Sequence, residues 1–154
     1  MIMDLYAENI LDHYRHPRNR VSPLPALPTE TLVKVGGRGV GEEGWIEHKE
    51  LNPSCGDALI IRLSMKDGRI TDLVWDGSGC AISQAAMSML SDHIRNLQLA
   101  IGNSISAKDV YDLLGVPIGP RRVKCALLSL HTLKNALRQS RGLPSQGWTE
   151  TMGK

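Results

Sequence analysis

Asn52-Pro53-Ser54-Cys55-Gly56-Asp57 runs directly into Ala58 to Met65, and a second apolar run, Ile70 to Trp75, follows after Lys66-Asp67-Gly68-Arg69. Asp-Gly between two such runs is a strong hairpin signal, so residues 58–65 and 70–75 are predicted to be paired strands. Within residues 52–57 a thiol and a carboxylate stand two residues apart around a glycine, which lets both side chains converge as a metal corner. The hairpin starts at that corner. Gly77-Ser78-Gly79-Cys80 then returns from its far strand to the same end, bringing a second thiol close by a simple local topology.

A third cysteine, Cys125 in Arg121-Arg122-Val123-Lys124-Cys125, completes a candidate set of four ligands with Cys55, Asp57 and Cys80. Four ligands of this kind suit a tetrahedral ion. Three thiolates and one carboxylate around a divalent ion leave the site at minus two, and Arg121, Arg122 and Lys124 are placed to offset that charge. The aspartate is the informative member. A site that only holds zinc in a fold usually has cysteine or histidine throughout, whereas oxygen is the harder and less thiophilic donor. Such a corner should exchange ligands, which suits metal or sulfur trafficking better than permanent structural metal.

Outward from the hairpin, the sequence reads mostly as helices. From Ala81 to about Leu97 the apolar residues Ile82, Ala85, Ala86, Met89, Leu90, Ile94 and Leu97 recur at helical spacing. Cys80 then precedes a helix, where unpaired N–H groups and the positive end of the dipole favour a thiolate. Ser106-Ala107-Lys108-Asp109 resembles a capping box opening a short helix that ends at Gly115. A last long helix is predicted from about Pro120, with Val123, Ala126, Leu127, Leu130, Leu133 and Leu137 in one stripe. Turning ~100° per residue puts Cys125 roughly 130° from the centre of that stripe, outside the main apolar face. His131 falls about 120° round the helix from Cys125, so the two should not bind one ion.

Toward the N-terminus, residues 4 to about 15 read as an amphipathic helix with Leu5, Ile10, Leu11 and Tyr14 near one face, stopped by His16-Pro17. His13 and His16 read as solvated or capping groups, and His93 as badly placed for a ligand. Residues 20–44 are predicted to be an extended connector, with Pro23, Pro25 and Pro28 in its first half. Its glycine-rich end, Gly36 to Gly44, lacks the Lys-Ser/Thr pair and following helix of a phosphate loop. It reads as a turn ahead of a strand from Trp45 to Leu51. The tail from Gly142 to Lys154 is predicted to fray.

At 154 residues and 42% hydrophobic, the chain is expected to form a single domain, with residues 4–140 as its core region. A net charge of +2 without a long basic run gives no electrostatic case for nucleic acid. Three cysteines is an odd count, and the acidic start Met1 to Glu8 has too short an apolar part for a signal peptide. The expectation is the reducing cytoplasm, with no membrane partner. Free cysteine is often a small buried hydrophobe. Against that reading stand the glycines beside Cys55 and Cys80, the helix-end position of Cys80, the off-stripe Cys125 and the paired Asp57.

Tyr14 with Pro17-Arg18-Asn19, the Asn52 to Asp57 stretch, Gly79-Cys80-Ala81-Ile82-Ser83 and Arg122-Val123-Lys124-Cys125 together resemble the iron–sulfur cluster assembly scaffold family of IscU, the NifU N-terminal domain and SufU. The resemblance spans residues 4 to about 140. It implies an α+β fold in which a small antiparallel sheet of about three strands is packed by helices. It also implies that Cys55, Asp57, Cys80 and Cys125 surround Zn2+ or a nascent, transient [2Fe–2S] cluster, with a cysteine desulfurase as sulfur donor and apo iron–sulfur proteins as recipients.

Members resembling IscU usually carry histidine before the third cysteine, where this sequence has Lys124. Arg122-x-x-Cys125 is similar instead to the zinc-dependent sulfur-transfer branch, SufU. That branch differs in carrying an insertion between the second and third cysteines, and the segment from Asn19 to Cys55 is longer here. Resemblance to SufU nominates Cys55 as sulfur acceptor, and resemblance to IscU nominates Cys125. Arg122 would hold local negative charge or contact the partner. The Leu-Pro-Pro-Val-Lys type segment through which IscU-like members engage an Hsp70 chaperone is not intact in Val116-Pro117-Ile118-Gly119-Pro120, which counts against Hsp70 dependence. Three functions follow: a zinc-bound sulfur acceptor, a scaffold that builds and transfers a [2Fe–2S] cluster, or a binding module with purely structural zinc.

Overall fold

The computed structural model describes residues 2–22, 24, 45–53, 56–66, 69–97 and 105–152. Strands β1 (Trp45–Leu51), β2 (Ala58–Lys66) and β3 (Arg69–Ser78) form one antiparallel sheet in the order β1-β2-β3. Helices α1 (Ile2–Arg15), α2 (Ala81–Leu97), α3 (Ala107–Leu114), α4 (Val123–Ser140) and α5 (Trp148–Met152) accompany it, with a 3-10 turn at Pro120–Arg122 leading into α4. The expected α+β class with a small antiparallel sheet packed by helices is the architecture found. The glycine-rich stretch 36–44 and most of the 20–44 connector lie outside the described residues.

Period-two alternation decides which way the sheet faces. Ile46 pairs with Leu63, Leu63 with Leu73, and Ile61 with Trp75, so these side chains share one face. All five are at most 2% exposed and pack against Ala85, Leu90 and Ile94 of α2 and Leu127 and Leu130 of α4 in one core cluster. Burying each such aliphatic side chain stabilises the fold by about 1.5–3 kcal/mol, so this face holds the molecule together.

Helix ends follow local rules. Ser106 caps α3, its hydroxyl accepting from the Asp109 N–H while the Asp109 carboxylate accepts from the Ser106 N–H, and Gly115 ends the helix at φ 71°. Among the described residues no helix is long and apolar enough to cross a membrane.

Three expectations are corrected. On α1, Ile10 is buried and His13 half-buried, while Leu11 and Tyr14 are each 40% exposed. The helix turns the Ile10–His13 edge toward α2, where His13 Nδ1 lies 2.7 Å from Ser88 Oγ. On α4, the stripe widens to nearly the whole circumference, since every residue from Cys125 to Leu133 is buried. That helix has α2, α3, α5, β1 and β2 around it, so being off the apolar stripe does not mean being outside the core. Finally, residues 148–152 do not fray but form α5. Thr151 is 1% exposed, and the Trp148 indole stacks on His131 with centroids 4.1 Å apart.

Candidate metal centre

Strand register assembles the site. Leu51 pairs with Ala58 and Ala58 with Ser78, so the residues just beyond these pairs, Asn52, Asp57 and Gly79, meet at one end of the sheet. The Asn52 N–H donates to the Asp57 carbonyl and the Gly56 N–H to the Asn52 carbonyl, both at 2.8 Å, which closes the loop. Gly56 sits at φ 78°, in the left-handed region that glycine enters without a Cβ penalty. Across the hairpin end Gly79 takes φ 149°, and a Cβ there would lie 2.6 Å from both Cγ and Oδ1 of Asp57. Any side chain at position 79 would occupy the space that the carboxylate needs.

Cys80 follows at the head of α2, its carbonyl accepting the first helical hydrogen bond from the Gln84 N–H at 3.2 Å. Its thiol donates weakly to Ser83 Oγ at 3.8 Å. Cys125 approaches from the first turn of α4, 9% exposed, and its sulfur accepts from Asn52 Nδ2 at 3.5 Å. The result is that Asp57, Cys80 and Cys125 each offer a donor atom, all within 4.8 Å of one another. Asp57 is 5% exposed, and among the described residues its Oδ2 is buried with no hydrogen-bond partner. An unpaired buried carboxylate oxygen is costly unless a cation satisfies it. Two thiols beside it make the donor set thiophilic, so these residues fit a zinc-like ion.

The chain as a whole is similar to known proteins. A family model for the NifU-like N-terminal domain matches residues 5–145. The chain belongs to that family. It is 32% identical over 157 residues to the zinc-dependent sulfurtransferase SufU of Bacillus subtilis, covering 90% of this chain and 92% of that one. It is 29% identical over 151 residues to the iron–sulfur cluster assembly scaffold protein IscU of Aquifex aeolicus, covering 97% and 83%. In fold it resembles the N-terminal part of a nitrogen-fixing NifU-like protein from Brucella abortus, with TM-score 0.55, 16% identity and coverage of 90% and 96%.

Of the residues singled out in this NifU-like chain, Asp57, Cys80 and Cys125 are brought together, and Cys55 lies outside the described residues. Arg122 is exposed on the turn ahead of α4, and among the described residues its guanidinium pairs with no carboxylate. Lys124 reaches away to the C-terminal segment, its Nζ 5.8 Å from the Trp148 ring centroid. Among the described residues, neither Arg122 nor Lys124 is ion-paired to Asp57.

Sequence reasoning missed the support behind the NifU-like site. Arg20 spreads its guanidinium over the end of β3, with Nε donating to Asp76 Oδ1 at 3.0 Å, Nη2 to the Gly77 carbonyl at 2.8 Å and Nη1 to Gln84 Oε1 at 3.0 Å. Gln84 Nε2 passes the contact on to the Gly79 carbonyl at 2.9 Å. The backbone at Gly77 and Gly79 is thus held through both carbonyls by Arg20 and Gln84. What carries Arg20 there is the segment around it: the Val21 N–H donates to the Trp75 carbonyl, the Trp75 N–H to the Asn19 carbonyl, and the Trp75 indole N–H to the Arg18 carbonyl. An arginine following the Pro17-Arg18-Asn19 motif was the available signal.

A second cluster was also missed. His48 and Glu50 alternate with Ile46 on the core face of β1, and Glu50 lies between two imidazoles, Oε1 3.0 Å from His48 Nε2 and Oε2 3.3 Å from His131 Nε2. His131 Nδ1 is 2.7 Å from Thr151 Oγ1, and His48 Nδ1 is 3.0 Å from Gln139 Oε1. Burial holds the His131 pKa below its ordinary 6.5, outweighing the upward pull of Glu50. Both histidines are fully engaged with neighbours.

Proposed function

We propose that this protein accepts persulfide sulfur from a cysteine desulfurase at a zinc-holding site of Cys55, Asp57, Cys80 and Cys125, and delivers it into iron–sulfur cluster assembly. One observation carries the reading: two thiols meet a buried carboxylate whose Oδ2 has no partner among the described residues. The name of the Bacillus subtilis relative, a zinc-dependent sulfurtransferase, supports the sulfur-transfer chemistry.

Bound zinc would keep the cysteines deprotonated without consuming them. The chain's own residues do the rest. Asp57 supplies the one oxygen donor, the weakest-held ligand for a thiophilic ion, so the site gives way there first. Gly79 leaves the room that the carboxylate occupies. In the transfer a freed thiolate attacks the outer sulfur of the desulfurase persulfide; a new S–S bond forms on this chain as the enzyme's S–S bond breaks, and the enzyme cysteine leaves as thiolate. Cys55 is the acceptor in this reading. Arg122, exposed and unpaired among the described residues, suits contact with an acidic patch on the partner.

The Aquifex aeolicus relative, matched over 97% of this chain, favours a second reading in which the same residues build and release a [2Fe–2S] cluster and Cys125 receives the sulfur. Anaerobic purification with metal and acid-labile sulfide quantified on one sample separates the two. Zinc without sulfide, together with desulfurase stimulation that is lost in Cys55→Ala, supports the sulfur acceptor. Iron with sulfide, and transfer to an apo-protein, supports the scaffold. Stimulation unchanged after loss of each cysteine in turn would overturn both and leave zinc as a structural ion.

A further inference from the structure

We propose that Asn52 is a positioning residue for the sulfur of Cys125, and that its side-chain amide sets how that sulfur binds a thiophilic ion. This rests on the metal-site reading above. Asn52 is 1% exposed at the end of β1. Its two backbone hydrogen bonds close the loop that carries Asp57, and its Nδ2 reaches Cys125 Sγ on α4, 73 residues further along the chain. One residue therefore holds one ligand by its backbone and another by its side chain.

The chemistry is directional. A carboxamide nitrogen can only donate, so what it meets on sulfur is a lone pair. An N–H on a thiolate draws electron density from the sulfur, makes a metal–sulfur bond less covalent and fixes where the lone pairs point. Among the described residues the Cys80 sulfur has only the Ser83 hydroxyl at 3.8 Å. Among the described residues the two thiols differ: the Cys125 sulfur is oriented and made a weaker electron donor by an amide N–H, and the Cys80 sulfur has no amide donor.

Cobalt(II) titration of the full chain tests this, because thiolate-to-cobalt charge transfer reports the electron density on sulfur. The wild type is compared with Asn52→Asp, which keeps the side-chain oxygen but loses the donor, and Asn52→Leu, which removes the donor without adding charge. Each is repeated with Cys125→Ser. Both substitutions should move the charge-transfer band to longer wavelength and weaken cobalt binding about 10- to 100-fold. Neither change should appear when Cys125 is already serine. An unmoved band in both variants, or a shift that persists undiminished with Cys125→Ser, overturns the proposal. So does loss of the metal-free fold in both variants by circular dichroism, which would make Asn52 a structural residue only. A wild type that gives no thiolate band overturns the metal-site reading itself, and with it this one.

Discussion

Helix α4 carries two polar clusters, one at its start and one at its middle, and the two are opposite in kind. Near its start, Cys125 joins Cys80 and Asp57, and the Asp57 carboxylate keeps a buried oxygen that nothing among the described residues satisfies. Six residues on, His131 stacks on Trp148, and its ring nitrogens face Thr151 and Glu50. Both clusters contain good metal donors. The difference is spare valence: imidazoles whose nitrogens are already engaged tie β1, α4 and α5 together, whereas the carboxylate beside two thiols keeps an oxygen that no described residue satisfies.

The strongest way to break this contrast is Gly79→Ala. A methyl group 2.6 Å from the Asp57 carboxylate, on backbone at φ 149°, combines strain with overpacking. The expected loss is about 2–5 kcal/mol in urea unfolding, with zinc affinity falling in parallel in a chelator competition. Unchanged affinity would show that the carboxylate does not need this space. Asp57→Ala acts in the opposite direction. Removing the unsatisfied oxygen should stabilise the metal-free protein by about 1–3 kcal/mol and slow metal release. Faster metal loss in a chelator assay would contradict the role given to the aspartate.

The smallest effect comes from the cluster at the middle of α4. Burial holds the His131 pKa below 6.5, so an unfolded chain takes up a proton that the folded one resists. Stability is then full above about pH 6.5 and declines as pH falls below it, because the unfolded state binds more protons there. His13, also lowered by burial, contributes in the same direction. His131→Gln should flatten the fall in urea midpoint between about pH 7.5 and 5.5 without abolishing it. Zinc affinity measured above that window should be untouched, and a change there would mean the two clusters are coupled.

Much of the site was legible because its geometry follows from short-range rules. The Asp-Gly turn signal made residues 58–65 and 70–75 a hairpin and so brought Asp57 and the Gly77 to Cys80 stretch to one end. The irregularity between Ser64 and Met65, which shifts the pairing by one residue and sets Ala58 opposite Ser78, was not legible. The Cys80 position at a helix start and the Ser106 capping box are equally local. The face of α1 was not legible, since Ile10–His13 and Leu11–Tyr14 are both plausible edges. Only the hydroxyl of Ser88, 75 residues away from His13, chooses between them. Cys125 was singled out for lying off an apolar stripe, yet it is buried, and what distinguishes it is the company of Asn52, Asp57 and Cys80.

By itself the amino-acid order determined the hairpin, most helix starts and stops, and the thiol and carboxylate donor types of the candidate site, because hydrogen bonding and steric limits on φ and ψ act within a few residues. Tertiary structure alone decided that α4 is covered on nearly every side, that a five-residue helix at the C-terminus seals against His131, and that Arg20 braces the turn before Cys80. Those outcomes depend on which distant surface arrives to exclude water. Burial is a property of the pair of surfaces that meet, not of either strand of sequence alone.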